Sequence, residues 1–136
     1  MSGGEIVLLI EDNEANSMLA TAVLEREGFQ VEVAGSAAEA NRLLRAVIPA
    51  VILMDIQLPG EDGLTYAREL KARRATSRIP IVALTAHAMA GDRERAMNAG
   101  CVGYMSKPID TRTFAAQVRE VLGGTHRFPQ EEGAAS

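Results

Sequence analysis

The sequence predicts an α/β protein: a doubly wound, five-stranded parallel sheet in the order 2-1-3-4-5, flanked by five helices. Three observations predict it. Short β-rich runs alternate with amphipathic stretches five times, and repeated βα units imply a parallel sheet with helices on both faces. The runs are nearly continuous in apolar residues, as strands buried on both faces must be. The 136 residues are 47% hydrophobic, enough for one sizeable core, and no shift in composition marks a second domain.

Each element has its own signal. "EIVLLI" (5–10) reads as a buried strand. "EANSMLATAVLEREG" follows as a helix, with Ala15, Met18, Leu19, Ala22 and Val23 expected on the inner face and Gly28 as its stop. "FQVEVA" (29–34) alternates like a strand with one wetter face. "SAAE" (36–39) is a capping box, Ser36 then Glu39, and opens a helix with Ala40, Leu43, Leu44 and Val47 inward. "AVILM" (50–54) is a third strand, apolar on both faces. "DGLTYARELKARR" (62–74) is a helix with Leu64, Ala67 and Leu70 inward. "PIVALT" (80–85) is the fourth strand, "AGDRERAMNAG" (90–100) a short helix, and "VGYMS" (102–106) the fifth strand. Asp110 is expected to cap a last helix over 111–122, with Phe114, Val118 and Leu122 inward. These elements place one domain over residues 1–123. Residues 124–136 carry glycine and charge without periodicity and read as a disordered tail.

Bulk properties exclude several function classes. A net charge of −4 leaves no electrostatic footprint for nucleic acid. No apolar run approaches the ~18 residues of a membrane span. The start "MSGGEIVLLIED" lacks the basic flank of a signal peptide. Cys101 is the only cysteine, so no internal disulfide forms, and a cytoplasmic, reducing location is expected.

The chemistry gathers at the carboxyl ends of the strands. In open α/β sheets the site lies beyond those ends, where the strand order reverses. That point falls between the first strand, which runs into Glu11 and Asp12, and the third, which runs into Asp55. Three carboxylates in one crevice repel: two charges ~4 Å apart cost about 4 kcal/mol at an effective dielectric of about 20. A cation relieves this, and all-oxygen ligands suit Mg²⁺, with Mn²⁺ as the alternative. The fourth strand ends in Thr85 and the fifth leads to Lys107. Three acids, a hydroxyl and an ammonium suit a phosphoryl group. Asp55 is then the nucleophile, already ionised at pH 7 and in need of no base.

"LIEDNEAN", "VILMDIQLPGEDGL", "IVALTAHAM" and "AGCVGYMSKPI" together resemble the receiver domain of two-component response regulators, over roughly residues 5 to 122. The "EDN…N" start and the "MDIQLP" run look most like stand-alone receivers of the DivK kind, or receivers attached to hybrid histidine kinases. The resemblance implies a flavodoxin-like fold. It implies Asp12 as the more direct metal ligand, Glu11 acting largely through water, and Asp55 as phospho-acceptor. It makes the Gln57 carbonyl a metal ligand and puts its side chain where dephosphorylation rate is tuned. Thr85 matches the switch hydroxyl, Ala86 a small residue beside it, Tyr104 the switch aromatic and Lys107 the phosphate-binding lysine, with a cis Lys107–Pro108 bond. The resemblance also implies a phosphoryl donor, either a sensor histidine kinase or a histidine phosphotransfer protein. Phosphorylation is then expected to reshape the surface of the fourth helix, fifth strand and fifth helix. Because only residues 123–136 follow the last helix, output is expected through a protein partner or onward phosphotransfer, from a monomer or a phosphorylation-dependent dimer.

Other residues have plainer readings. His87, two beyond Thr85, is expected on the rim as a modulator of hydrolysis, and His126 in the tail. Cys101 reads as a small core residue. Arg68, Lys71, Arg73, Arg74 and Arg78 read as a helix C-terminus with a solvated face. Arg93, Arg95, Arg112 and Arg119 are either solvated or line a partner surface. Two rival functions fit less well. An aspartate-nucleophile phosphohydrolase needs an acid two residues after the nucleophile, where Gln57 stands, and a cap domain. A phosphate-independent module need not keep all three acids and the lysine, and no glycine-rich loop for a nucleotide is present.

Overall fold

The computed structural model describes residues 4–86 and 91–123. β1 (Ile6–Ile10), β2 (Gln30–Ala34) and β3 (Val51–Asp55) are followed by a small hairpin, β4 (Gln57–Leu58) and β5 (Glu61–Asp62), and then by β6 (Ile81–Thr85) and β7 (Gly103–Ser106). The helices are α1 (Glu14–Arg26), α2 (Ala37–Ala46), α3 (Gly63–Ala72), α4 (Asp92–Asn98) and α5 (Phe114–Leu122). The main sheet runs β2-β1-β3-β6-β7, every pair parallel. With the hairpin set aside, this is the expected 2-1-3-4-5 order.

Strand alternation sorts the core into two layers. Leu8, Ile10, Ile52, Met54, Ile81 and Ala83 point to one face, where they meet Ala40, Ala67, Leu70 and Ala96 of α2, α3 and α4. Val7, Leu9, Val51, Leu53, Val82 and Leu84 point to the other, against Val23, Leu24, Phe114 and Val118 of α1 and α5. Each central strand is therefore buried on both sides, which accounts for the lack of polar alternation in "IVLLI" and "VILMD". Among the described residues no helix is long and apolar enough to cross a membrane.

Helix ends follow local chemistry. Ser36 caps α2 by accepting the Glu39 N–H at 3.2 Å, and the Glu39 carboxylate reaches back past the expected Ser36 N–H to accept the Gly35 N–H at 2.7 Å, a capping box displaced by one residue. Gly28 adopts φ 96° directly after α1, the left-handed stop expected of it. "LPGE" reverses the β4–β5 hairpin, a small element the sequence reading did not assign. Pro59 fits the second position of such a turn, and Gly60, at φ 74°, fits the third.

Two expectations fail. The inner face of α1 is Ser17, Ala20, Val23 and Leu24, whereas Met18 is 64% and Leu19 43% exposed and Ala15 and Ala22 face outward. Apolar residues surround this helix, so a stripe rotated by one residue reads equally well. Ser17 tolerates burial because its hydroxyl donates to the Glu14 carbonyl at 3.0 Å. Asp110 does not cap the last helix, which begins at Phe114 behind a turn. Its backbone carbonyl takes the Thr113 and Phe114 N–H groups and its side chain takes the Arg112 N–H. On the same helix Val121 is buried and Leu122 only half-buried.

The basic run is largely exposed, as expected, with Arg68, Arg73, Arg74 and Arg78 at the surface, but two of its members also make contacts that hold the fold. Lys71 is half-buried and donates to the Ile79 carbonyl at 3.0 Å. Arg73 donates to Asn41 Oδ1 at 2.9 Å, joining α3 to α2. Cys101 is a core residue, as expected. Burial pushes its thiol up to about 12, against a smaller opposite pull from Lys71.

Candidate functional site: a carboxylate cluster at the strand ends

Register alone brings the predicted residues together. Ile10 is level with Met54, so Glu11 and Asp55 leave their strands side by side. Asp55 is level with Leu84, which places Thr85 one step beyond it, and Thr85 pairs with Ser106, directly before Lys107. Backbone bonds keep this edge closed. Glu11 N–H reaches Ala34 O at 2.9 Å, Ile56 N–H reaches Leu84 O at 3.0 Å, and Lys107 N–H reaches Thr85 O at 2.7 Å. The Lys107–Pro108 bond is cis.

Two of the acids are buried, Glu11 and Asp55 at 3% exposure each, while Asp12 is exposed. Lys107 Nζ stands between the buried pair, 2.9 Å from Asp55 Oδ2 and 3.0 Å from Glu11 Oε1. The remaining oxygens take main-chain donors: Gln57 N–H to Asp55 Oδ1 at 2.9 Å and Asn13 N–H to Glu11 Oε2 at 3.1 Å. Burial pulls the Lys107 ammonium down. Hydrogen bonds to Asp55 and Glu11, with their charges, outweigh this and hold it above the usual lysine range. Glu11, Asp12 and Asp55 each bring one carboxylate oxygen to within 4.8 Å of the others. This all-oxygen donor set fits a hard divalent cation such as Mg²⁺ or Mn²⁺.

The other predicted residues surround this centre. Thr85 is buried at the end of β6, and Ala86 is exposed beside it. Gln57 turns its side chain to solvent. Tyr104 packs against the α2/α3/α4 layer, and its hydroxyl is buried with no hydrogen-bond partner among the described residues. Burial, assisted by nearby Asp92, raises its phenol above the ordinary range. His87 and the tail 124–136 lie outside the described residues. Sequence reading missed Asn13, which holds Glu11 through its N–H while its side chain caps α1 at the Asn16 N–H, 2.9 Å away. An asparagine directly before a helical run was the available signal.

The family model of the response regulator receiver domain matches residues 7–119. The chain belongs to the receiver-domain family of response regulators. The polar-differentiation response regulator DivK of Brucella ovis is 41% identical over 117 residues, covering 86% of this chain and 95% of that protein. Among solved structures, the receiver domain of a sensor histidine kinase from Pseudomonas aeruginosa, with a magnesium ion coordinated in its active-site cleft, is 35% identical. It aligns with a TM-score of 0.80 over 88% of this chain and 98% of its own. The Mn²⁺-bound form of the response regulator Rcp1 is 25% identical, with a TM-score of 0.72 over 86% of this chain and 91% of its own. Receivers accept a phosphoryl group from histidine kinases and signal to protein partners. The carboxylate cluster of this receiver lies at the reversal point between β1 and β3, where its fold places ligands.

Proposed function

We propose that this receiver works as a stand-alone, DivK-like response regulator that accepts a phosphoryl group on Asp55. The observation that carries the reading is the buried Asp55 carboxylate held by Lys107 at 2.9 Å, in one cluster with Glu11 and Asp12. The donor is a phosphohistidine on a sensor kinase or a phosphotransfer protein. An Asp55 oxygen forms the new O–P bond as the donor's N–P bond breaks, and the electron pair of that bond stays on the imidazole nitrogen. Asp12, Asp55 and the Gln57 carbonyl, with Glu11 acting through water, would hold the divalent cation. When bound, it supplies neutralisation of the phosphoryl oxygens. Lys107 neutralises a further oxygen and Thr85 donates a hydrogen bond to another. The Gln57 side chain and His87 tune the rate of water attack on the phosphoryl group.

Phosphorylation replaces the single charge of the Asp55 carboxylate with an acyl phosphate of up to about two negative charges, carried on the phosphoryl oxygens. Turning a switch from 1:99 to 99:1 takes about 5.5 kcal/mol of differential binding. In this reading Thr85 and Lys107 supply it through contacts to the dianion. Tyr104 turns as Thr85 moves, and the surface of α4, β7 and α5 changes its affinity for a protein partner, a second copy, or the next member of a relay. The setting is the cytoplasm, with no role for nucleic acid or membrane.

The test is intact mass after incubation with acetyl phosphate and Mg²⁺. The wild type gains one phosphoryl group that needs the cation and is removed by hydroxylamine, and Asp55→Asn gains none. Equal gain in Asp55→Asn, gain without a divalent cation, or no gain in the wild type from either acetyl phosphate or phosphoramidate overturns the reading.

A further inference from the structure

We propose that Gly63 is a positioning residue of the phosphorylation site, holding the peptide between Asp55 and Gln57 from below. It touches no reacting atom and acts through that backbone. The inference rests on the reading of Asp55 and the Gln57 carbonyl as functional groups.

Gly63 opens α3 directly beneath the acceptor, and its N–H donates to the Ile56 carbonyl at 2.9 Å. A Cβ at this position would stand 2.5 Å from the Asp55 carbonyl oxygen, 2.6 Å from Ile56 Cα and 3.0 Å from the Ile56 carbonyl carbon. All three are main-chain atoms, so none can swing aside as a side chain does. A methyl group here displaces the Asp55–Gln57 backbone. That segment has little slack. Gln57 N–H is bonded to Asp55 Oδ1, Gln57 and Leu58 pair with Asp62 and Glu61 in the hairpin, and Asp62 caps α3 at the Leu64 N–H. The displacement therefore passes to the Asp55 carboxylate and the Gln57 carbonyl together. Gly60, in the same loop, has nothing within 4 Å of its own Cβ position, so close approach sets Gly63 apart.

The test compares Gly63→Ala with Leu70→Ala in the full chain. Leu70 is buried on α3 and its truncation destabilises the same helix without touching the loop. In Gly63→Ala, Mg²⁺ affinity by titration calorimetry and the rate of acetyl-phosphate labelling each fall by about tenfold or more, as expected for misplacement approaching 1 Å. In the metal-free variant the Gln57 amide resonance moves and its hydrogen exchange quickens. Leu70→Ala loses as much melting temperature and keeps all three properties near wild type. Gly63→Ala with wild-type Mg²⁺ affinity and an unmoved Gln57 amide overturns the proposal, as does an equal loss of Mg²⁺ affinity in Leu70→Ala. A measurement on the wild type covers the case in which Gly63→Ala does not fold. Saturating Mg²⁺ slows exchange at the Gln57 and Gly63 amides together, and protection at Gln57 alone overturns the coupling. A wild type that binds Mg²⁺ but takes no phosphoryl group refutes Asp55 as acceptor and leaves the Gly63 result readable from the amide and the metal.

Discussion

Replacing Lys107 with methionine removes the one ammonium that two buried carboxylates share. The stem and its packing are largely kept and the charge is lost. At an effective dielectric of about 20, contacts of 2.9 and 3.0 Å are each worth about 6 kcal/mol of gross Coulomb attraction. Each carboxylate pair at the 4.8 Å limit costs about 3 kcal/mol of repulsion. By these figures the two lysine contacts are comparable in size to the repulsion among Glu11, Asp12 and Asp55, and without them the cluster is uncompensated. Breaking such a buried pair costs about 3–5 kcal/mol. Lys107→Met is expected to lose about that much stability in urea at neutral pH with chelator present. Added Mg²⁺ then restores more than it adds to the wild type, because the cation takes the place of the lost ammonium and stabilises as RT ln(1 + [L]/Kd). Labelling of Asp55 by acetyl phosphate stays slow even with Mg²⁺, since Lys107 is also proposed to meet the phosphoryl oxygens. Equal stability of the two proteins in chelator, together with equal response to Mg²⁺, would refute the electrostatic reasoning.

Two further outcomes are expected. Burial lifts the Cys101 thiol from an ordinary 9.0 to about 12. At pH 8 the folded protein therefore holds about 10³-fold less thiolate than the unfolded chain, and Ellman's reagent should label it correspondingly slowly until denaturant is added. The sign carries over to stability: the raised thiol pKa makes a contribution that is intact below pH 9 and lost as pH rises toward 12. Fast labelling of the native protein would contradict the buried placement. Tyr104→Phe removes a buried hydroxyl with no partner among the described residues, so melting temperature should hold or rise slightly. A loss beyond about 1 kcal/mol would show that the hydroxyl is satisfied in solution.

Much of this receiver was legible in the sequence because its signals are local. Apolar runs marked strands buried on both faces, Ser36 and Glu39 marked a helix start, and Gly28 marked a stop; each depends on residues within a few positions of one another. Glu11, Asp12, Asp55, Thr85 and Lys107 could be placed at one edge because a parallel sheet aligns all its carboxyl ends. Their positions at the strand ends then suffice to bring them together.

What the chain could not state by itself depends on orientation and close approach. The inner face of α1 was ambiguous because Met18 and Leu19 are as apolar as Val23 and Leu24, and only packing against β1 and α5 selects the stripe. Asp110 had the composition of a cap, but the turn over 111–113 put the helix start beyond the reach of its side chain, which takes the Arg112 N–H instead. That Lys107 would bridge both Asp55 and Glu11 depends on distances of 2.9 and 3.0 Å across 52 and 96 residues of chain, respectively. That Gly63 would lie against the Asp55 carbonyl depends on how α3 returns under the hairpin. Residue types and their order along the chain determined which groups meet at the strand ends. Tertiary packing decided which helix faces turn inward and how closely backbone and charge approach, because both are set by neighbours far away in sequence.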